Sequence, residues 1–109
     1  MATFIAIGYG DRVGYDSTDG AVRDAAHAHD ERLREAGVVM GTAGEPVQVR
    51  NHDAAGARTD QGPFMRSDLP VAGFAMIEAA DIEEATRLVS GTPCAVAQGV
   101  VEVWPLARP

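Results

Sequence analysis

Gly73-Phe74-Ala75-Met76-Ile77-Glu78-Ala79-Ala80-Asp81-Ile82-Glu83-Glu84-Ala85 changes backbone period within a few residues, and that change decides the fold. Gly73 to Ala79 is an apolar run of strand length. Asp81 follows as an N-cap, with Glu84 at the third helical position completing a capping box, and Gly91 and Pro93 stop the helix. Gly99 to Leu106 then returns to an apolar, β-branched run. The second half of the chain therefore reads as a strand over 73–79, a helix over 81–90 and a strand over 99–106.

The first half repeats this order. Thr3 to Tyr9 is β-branched and aromatic, and Gly8, Gly10 and Gly14 read as loop glycines whose spacing does not fit the dinucleotide-binding fingerprint. Val22, Ala25, Ala26, His29, Leu33 and Ala36 recur at three- and four-residue steps before Gly37, which predicts an amphipathic helix over 19–36. Val38-Val39-Met40 and Val47-Gln48-Val49 predict two short strands meeting through a turn. The predicted fold class is α+β: a ferredoxin-like β-α-β-β-α-β unit, whose right-handed crossovers put both helices on one face of a mainly antiparallel sheet. At 109 residues the chain has room for one domain, spanning 1–109, and the uncovered sheet face predicts a homodimer.

Composition excludes several functions. The net charge of −7 repels phosphate backbones, so no nucleic-acid partner is expected. All nine positive side chains are arginines, which rules out Schiff-base catalysis, covalent pyridoxal attachment and a phosphate-loop lysine. No cofactor is expected. The apolar runs fall far short of a membrane span and the start lacks a basic signal-peptide region, which predicts a cytoplasmic protein with no membrane partner. Cys94, the single cysteine, reads as a buried, inert thiol. His27 and His29 stand two apart on a helix and cannot share an ion from one face, so no metal site is expected.

Residues 51 to 70 are polar and rich in Gly, Asp and Pro, a length that in a compact domain points to a functional loop. Gln61-Gly62-Pro63-Phe64 forms a rigid lip within it. Together with Gly73-Phe74, Asp81 to Ala85 and Gly99 to Leu106, this motif resembles the YCII-related family, in its branch named for an Asp-Gly-Pro-Phe motif, over nearly the whole chain. The resemblance implies a ferredoxin-like fold that pairs two sheets face to face as a dimeric α/β barrel, and lyase-like activities in some members. It also implies a His or aromatic residue eleven positions before the glycine that ends helix one. Here that position holds Ala26. Gln61 stands where the motif has its aspartate, with Asp60 one residue earlier. Arg66 and Asp68 reverse the acid-then-base order that often follows the phenylalanine. The family's glutamate on the last strand corresponds to Glu102.

His29 shares a helix face with Ala26 and Leu33, so it is the candidate proton carrier, against the plainer reading of a core-edge ring satisfied by backbone. His27 belongs to the polar face with Arg23, Asp30 and Arg34. Two functions follow. In the first, a cofactor-independent lyase- or isomerase-like enzyme uses His29 with Asp60 or Asp68 to move protons. Arg50 or Arg66 would hold a small anionic or aromatic molecule against Phe64 and Trp104. The alternative is a non-catalytic ligand- or partner-binding module that has lost the acid–base pair. Ala26, Gln61 and the reversed loop charges favour it.

Overall fold

The computed structural model describes residues 1–107. In chain order it has β1 (Ala2–Tyr9), α1 (Arg12–Ser17), α2 (Gly20–Glu35), β2 (Val39–Thr42), β3 (Val47–Arg50), a 3-10 turn (His52–Ala54), β4 (Arg58–Gln61), β5 (Val71–Ala79), α3 (Ile82–Val89), α4 (Pro93–Val96) and β6 (Val100–Pro105). Four strands form one sheet in the order β2-β5-β1-β6, with every neighbouring pair antiparallel. This is α+β and compatible with the ferredoxin-like order.

The register separates the two faces. Phe4 pairs with Ile77, and Ala6 with Ala75 and Val103, so these side chains share a face. Phe4, Ala6, Ile77 and Ala79 are buried there against Ala85 and Val89 of α3, and Ile77 is sealed completely. Burying each large apolar chain in such a core contributes roughly 1.5–3 kcal/mol. The intervening positions form the opposite, open face. Ile5 pairs there with Met76 and Trp104, Ile7 with Phe74 and Glu102, and Val39 with Met76. Val39, Phe74, Met76, Val100 and Trp104 are all exposed.

Local chemistry sets the helix ends. Asp81 Oδ1 accepts from the Glu84 amide at 2.8 Å, while Glu84 Oε1 reaches back to the Ala80 amide at 2.8 Å, one residue earlier than the usual reciprocal bond of a capping box. Asp19 caps α2 through the Ala21 amide at 3.2 Å. Gly37, at φ +97°, turns the chain out of α2 in the left-handed region that glycine enters without strain. Two short helices are additional to the predicted pair. Asp11 caps α1 by accepting from Gly14 N at 2.9 Å, and Pro93 occupies the first turn of α4. Gly8 and Gly14, expected in loops, therefore lie inside β1 and α1.

The segment between β2 and β5 departs from expectation. β3 pairs not with β2 but with β4, in a separate two-stranded hairpin with Val47 opposite Gln61 and Arg50 opposite Arg58. The loop over 51–70 thus carries a strand of its own. Gly62 N bonds Pro46 O at 3.0 Å and closes the base of the hairpin. Among the described residues no helix is long and apolar enough to cross a membrane.

Candidate functional site

The sheet is thinly furnished under one end of α2. On the helix-facing side Gly8 pairs with Gly73 and Ala6 with Ala75, so two adjacent rows of the central strands carry no side chain larger than a methyl group. A helix resting on such rows leaves space beneath it. That space is a cleft of about 710 Å³, within the range of small-molecule sites. Ala6, Ala75, Val89 and Val101 line its apolar part, and α1 and α2 supply Arg12, Tyr15, His27, Asp30 and Arg34. Cys94 wedges against the glycines, with its Sγ 2.9 Å from where a Cβ on Gly8 would stand.

Helical spacing delivers the polar groups. Ala26 and Leu33 are buried on α2, and one edge of that stripe carries His27, Asp30 and Arg34 at steps of three and four. Tyr15 Oη lies 2.6 Å from His27 Nε2, and the Arg23 guanidinium stacks over the Tyr15 ring at 5.0 Å. α1, which buries no residue of its own, is thereby tied to α2. Asp30 has a sealed oxygen, Oδ1, without a hydrogen-bond partner. Burial pushes its carboxyl above the ordinary aspartate value, Glu31 adds to the rise, and Arg34, His27 and His29 oppose it. Burial, followed by the charge of Asp30, also pushes the Cys94 thiol up, which disfavours its thiolate form.

None of the seven residues singled out from the sequence lines this cleft. His29 sits on the opposite edge of the helix stripe, with Nε2 2.6 Å from Leu88 O and its ring packed on Gly91. This is the plainer reading of that residue, a ring satisfied by backbone. The hairpin gathers three others. Arg50 donates to Asp60 Oδ2 at 2.9 Å and to Gln48 Oε1 at 2.8 Å, and its guanidinium lies 5.8 Å from the Phe64 ring centre. Arg66 and Asp68 are exposed in the segment that leads to β5, and Trp104 is exposed on the open sheet face. Glu102 is also on that face, but its partner is the Tyr9 hydroxyl, which donates to Oε1 at 3.0 Å. Burial first, and then this hydrogen bond and the nearby charge, raise the pKa of Tyr9.

Reading the sequence for polar residues at helical spacing on the edge of an apolar stripe, opposite strands written with Gly and Ala, would have found His27, Asp30 and Arg34. Among the described residues, no group of three or more His, Cys, Asp or Glu side chains is gathered as a metal ion requires. The family model of the YCII-related domain matches residues 3–108. No curated protein gives a significant match.

Proposed function

The chain belongs to the YCII-related domain family, and on that premise we propose that its cleft binds a small organic molecule and moves a proton on it without a cofactor. The observation that carries this reading is the Tyr15–His27 hydrogen bond of 2.6 Å at the edge of a cleft that also holds the half-buried Asp30. The acid–base roles expected of His29 with Asp60 or Asp68 pass to His27 and Asp30. With His27 Nε2–H donating to Tyr15 Oη, Nδ1 is left as the free accepting nitrogen, and the ring is held in one orientation for proton transfer. Asp30, whose carboxyl burial pushes above the ordinary aspartate value, is the complementary acid. A proton taken by His27 and one returned by Asp30 leave the substrate's composition unchanged, as an isomerisation requires. The same pair serves an elimination when Asp30 protonates the leaving group.

A second copy of the chain belongs to this proposal. The open face exposes Val39, Phe74, Met76, Val100 and Trp104, and pairing two such faces would bury them and form the dimeric barrel that the family resemblance implies. A binding module without catalysis is the second reading. It is favoured by Ala26, buried where the family tends to carry a histidine or aromatic.

A thermal-shift panel of small carboxylic acids and phenols identifies binders, because a ligand of the native state raises the melting temperature whether or not it reacts. His27→Gln then separates the two readings. It keeps a hydrogen-bonding partner for Tyr15 but cannot titrate near neutral pH. Retained binding with lost turnover supports the enzyme. Binding by wild type and variant alike, with neither turning over any bound compound, supports the module.

A further inference from the structure

The hairpin of β3 and β4 stands off the body of the molecule. Its two strands pack on each other, and among the described residues no helix and no strand of the main sheet packs more than marginally against either. The radius of gyration agrees: it is 15.8 Å, where a compact chain of 109 residues has about 13 Å. A two-stranded ribbon alone is marginally stable in water. Val47 and Val49 are exposed on one of its faces, and on the other Arg50 lies directly opposite Arg58, a like-charged pair that weakens the ribbon. Asp60 pairs with Arg50, whereas among the described residues Arg58 has no ion pair. The far edge of the main sheet offers what the ribbon lacks. β6 bonds only to β1, which leaves its outer row of backbone groups open. Beside it, on the helix side, a second cleft of about 430 Å³ is lined by Ile82 and Thr86 of α3 and by Val101 and Val103 of β6.

We propose that the hairpin is an arm exchanged between two copies of the chain, with β3 of one copy adding itself to the free edge of β6 in the other. Such strand addition takes its affinity from backbone bonds and its specificity from alternate side chains. Side-chain alternation fixes which way the arm faces. With Val47 and Val49 laid toward Val101 and Val103, Arg50 and Arg58 fall on the side of Glu102, which supplies the acid that Arg58 lacks. The opposite facing would drive Arg50 into the apolar cleft and bury its charge. The edge that receives the arm belongs to a second copy because β2, which leads into the hairpin, is separated from its own β6 by β5 and β1. The exchange goes beyond the proposed pairing of open faces and is compatible with it: a twofold axis running between two such faces, along their strands, sets β2 of one chain over β6 of the other.

Sedimentation of the full chain over a concentration series, with amide hydrogen exchange on the same samples, tests the arm. Burying a valine contributes about tenfold in affinity or more, and a symmetric pair buries Val49 twice, so Val49→Lys should weaken association by roughly a hundredfold. Val49 is exposed within a single chain, so the variant keeps its own fold, and its thermal unfolding in dilute solution should match that of the wild type. In the wild-type dimer the outward amides of β3 and β6 should exchange slowly, and either dilution or Val49→Lys should release both together. Pairing of the open faces alone leaves those amides without partners. A wild type that stays monomeric at millimolar concentration, a dimer undiminished by Val49→Lys, or β3 amides that exchange equally fast in monomer and dimer would each overturn the proposal. Met76→Glu separates its failure from that of the paired faces. If Met76→Glu dissolves the dimer and Val49→Lys does not, the arm is wrong and the paired faces stand. If Val49→Lys dissolves it and Met76→Glu does not, the arm stands and the paired faces are wrong.

Discussion

Asp30→Asn should make the protein more stable at neutral pH, and the gain should vanish in acid. The buried oxygen of Asp30 has no partner, so its ionised form lacks part of the solvation it has in the unfolded chain. A buried, unsatisfied polar group costs about 1–3 kcal/mol. Because Asp30 is only half-buried and Arg34, His27 and His29 offset some of the penalty, about 1–2 kcal/mol is the expected size. The sign follows from proton counting. With its pKa raised in the native state, the folded chain binds more protons than the unfolded chain between the ordinary aspartate value and the raised one. Stability therefore falls as pH rises through that window and stays lower above it. For a chain of 109 residues, an unfolding entropy of ~2.1 cal/mol/K per residue converts the penalty to roughly 4–9 °C in Tm. Urea melts of wild type and variant from pH 3 to pH 8 measure the difference directly. Parallel curves across that range, or a variant less stable at pH 7, would refute the argument.

Two further outcomes are expected. Met76→Glu places a charge in the middle of the open apolar face, opposite Ile5 and Val39. Sedimentation should report twice the 11.4 kDa chain mass for wild type and a single chain for the variant, while a wild type that stays monomeric at micromolar concentration contradicts the paired-sheet proposal. Gly99→Ala should destabilise by more than about 2 kcal/mol, because its Cβ would collide with the Tyr9 carbonyl and stand 2.6 Å from the Cys94 carbonyl. Near-native chemical denaturation of that variant would show that the strand entry can shift.

The elements that could be read from the sequence are those whose burial repeats with the backbone period. Phe4 and Ala6 alternate into the core, Ile77 and Ala79 do the same, and Asp81 with Glu84 marks the start of α3. β4 carries no such signal. Arg58-Thr59-Asp60-Gln61 is exposed along its length, so the hairpin is held by its backbone ladder and the Arg50–Asp60 pair rather than by an apolar face. α1 was concealed by Gly14, although Asp11 three residues earlier is an N-cap signal. The site was concealed in a different way. A polar helix edge normally faces water, and here it faces a cleft only because the strands opposite carry Gly8, Gly73, Ala6 and Ala75. That pairing depends on strand register, which helix periodicity alone does not encode.

The central place of β1 has a consequence for the order in which the molecule is built. Both neighbours of β1 come late in the chain, beginning at Val71 and Val100, so of the four strands of this sheet the earliest in sequence waits longest for partners. Its pairing with β5 joins Thr3 to Glu78, a closure across most of the chain that no local contact can replace. Folding should be slow for so small a domain, because helix α2 and the hairpin can form early while the sheet cannot. A nascent chain halted before Val71 would present Thr3 to Tyr9 as an apolar ribbon with two bare edges. That intermediate is the one most in need of a chaperone, and the most prone to pair with another copy of itself.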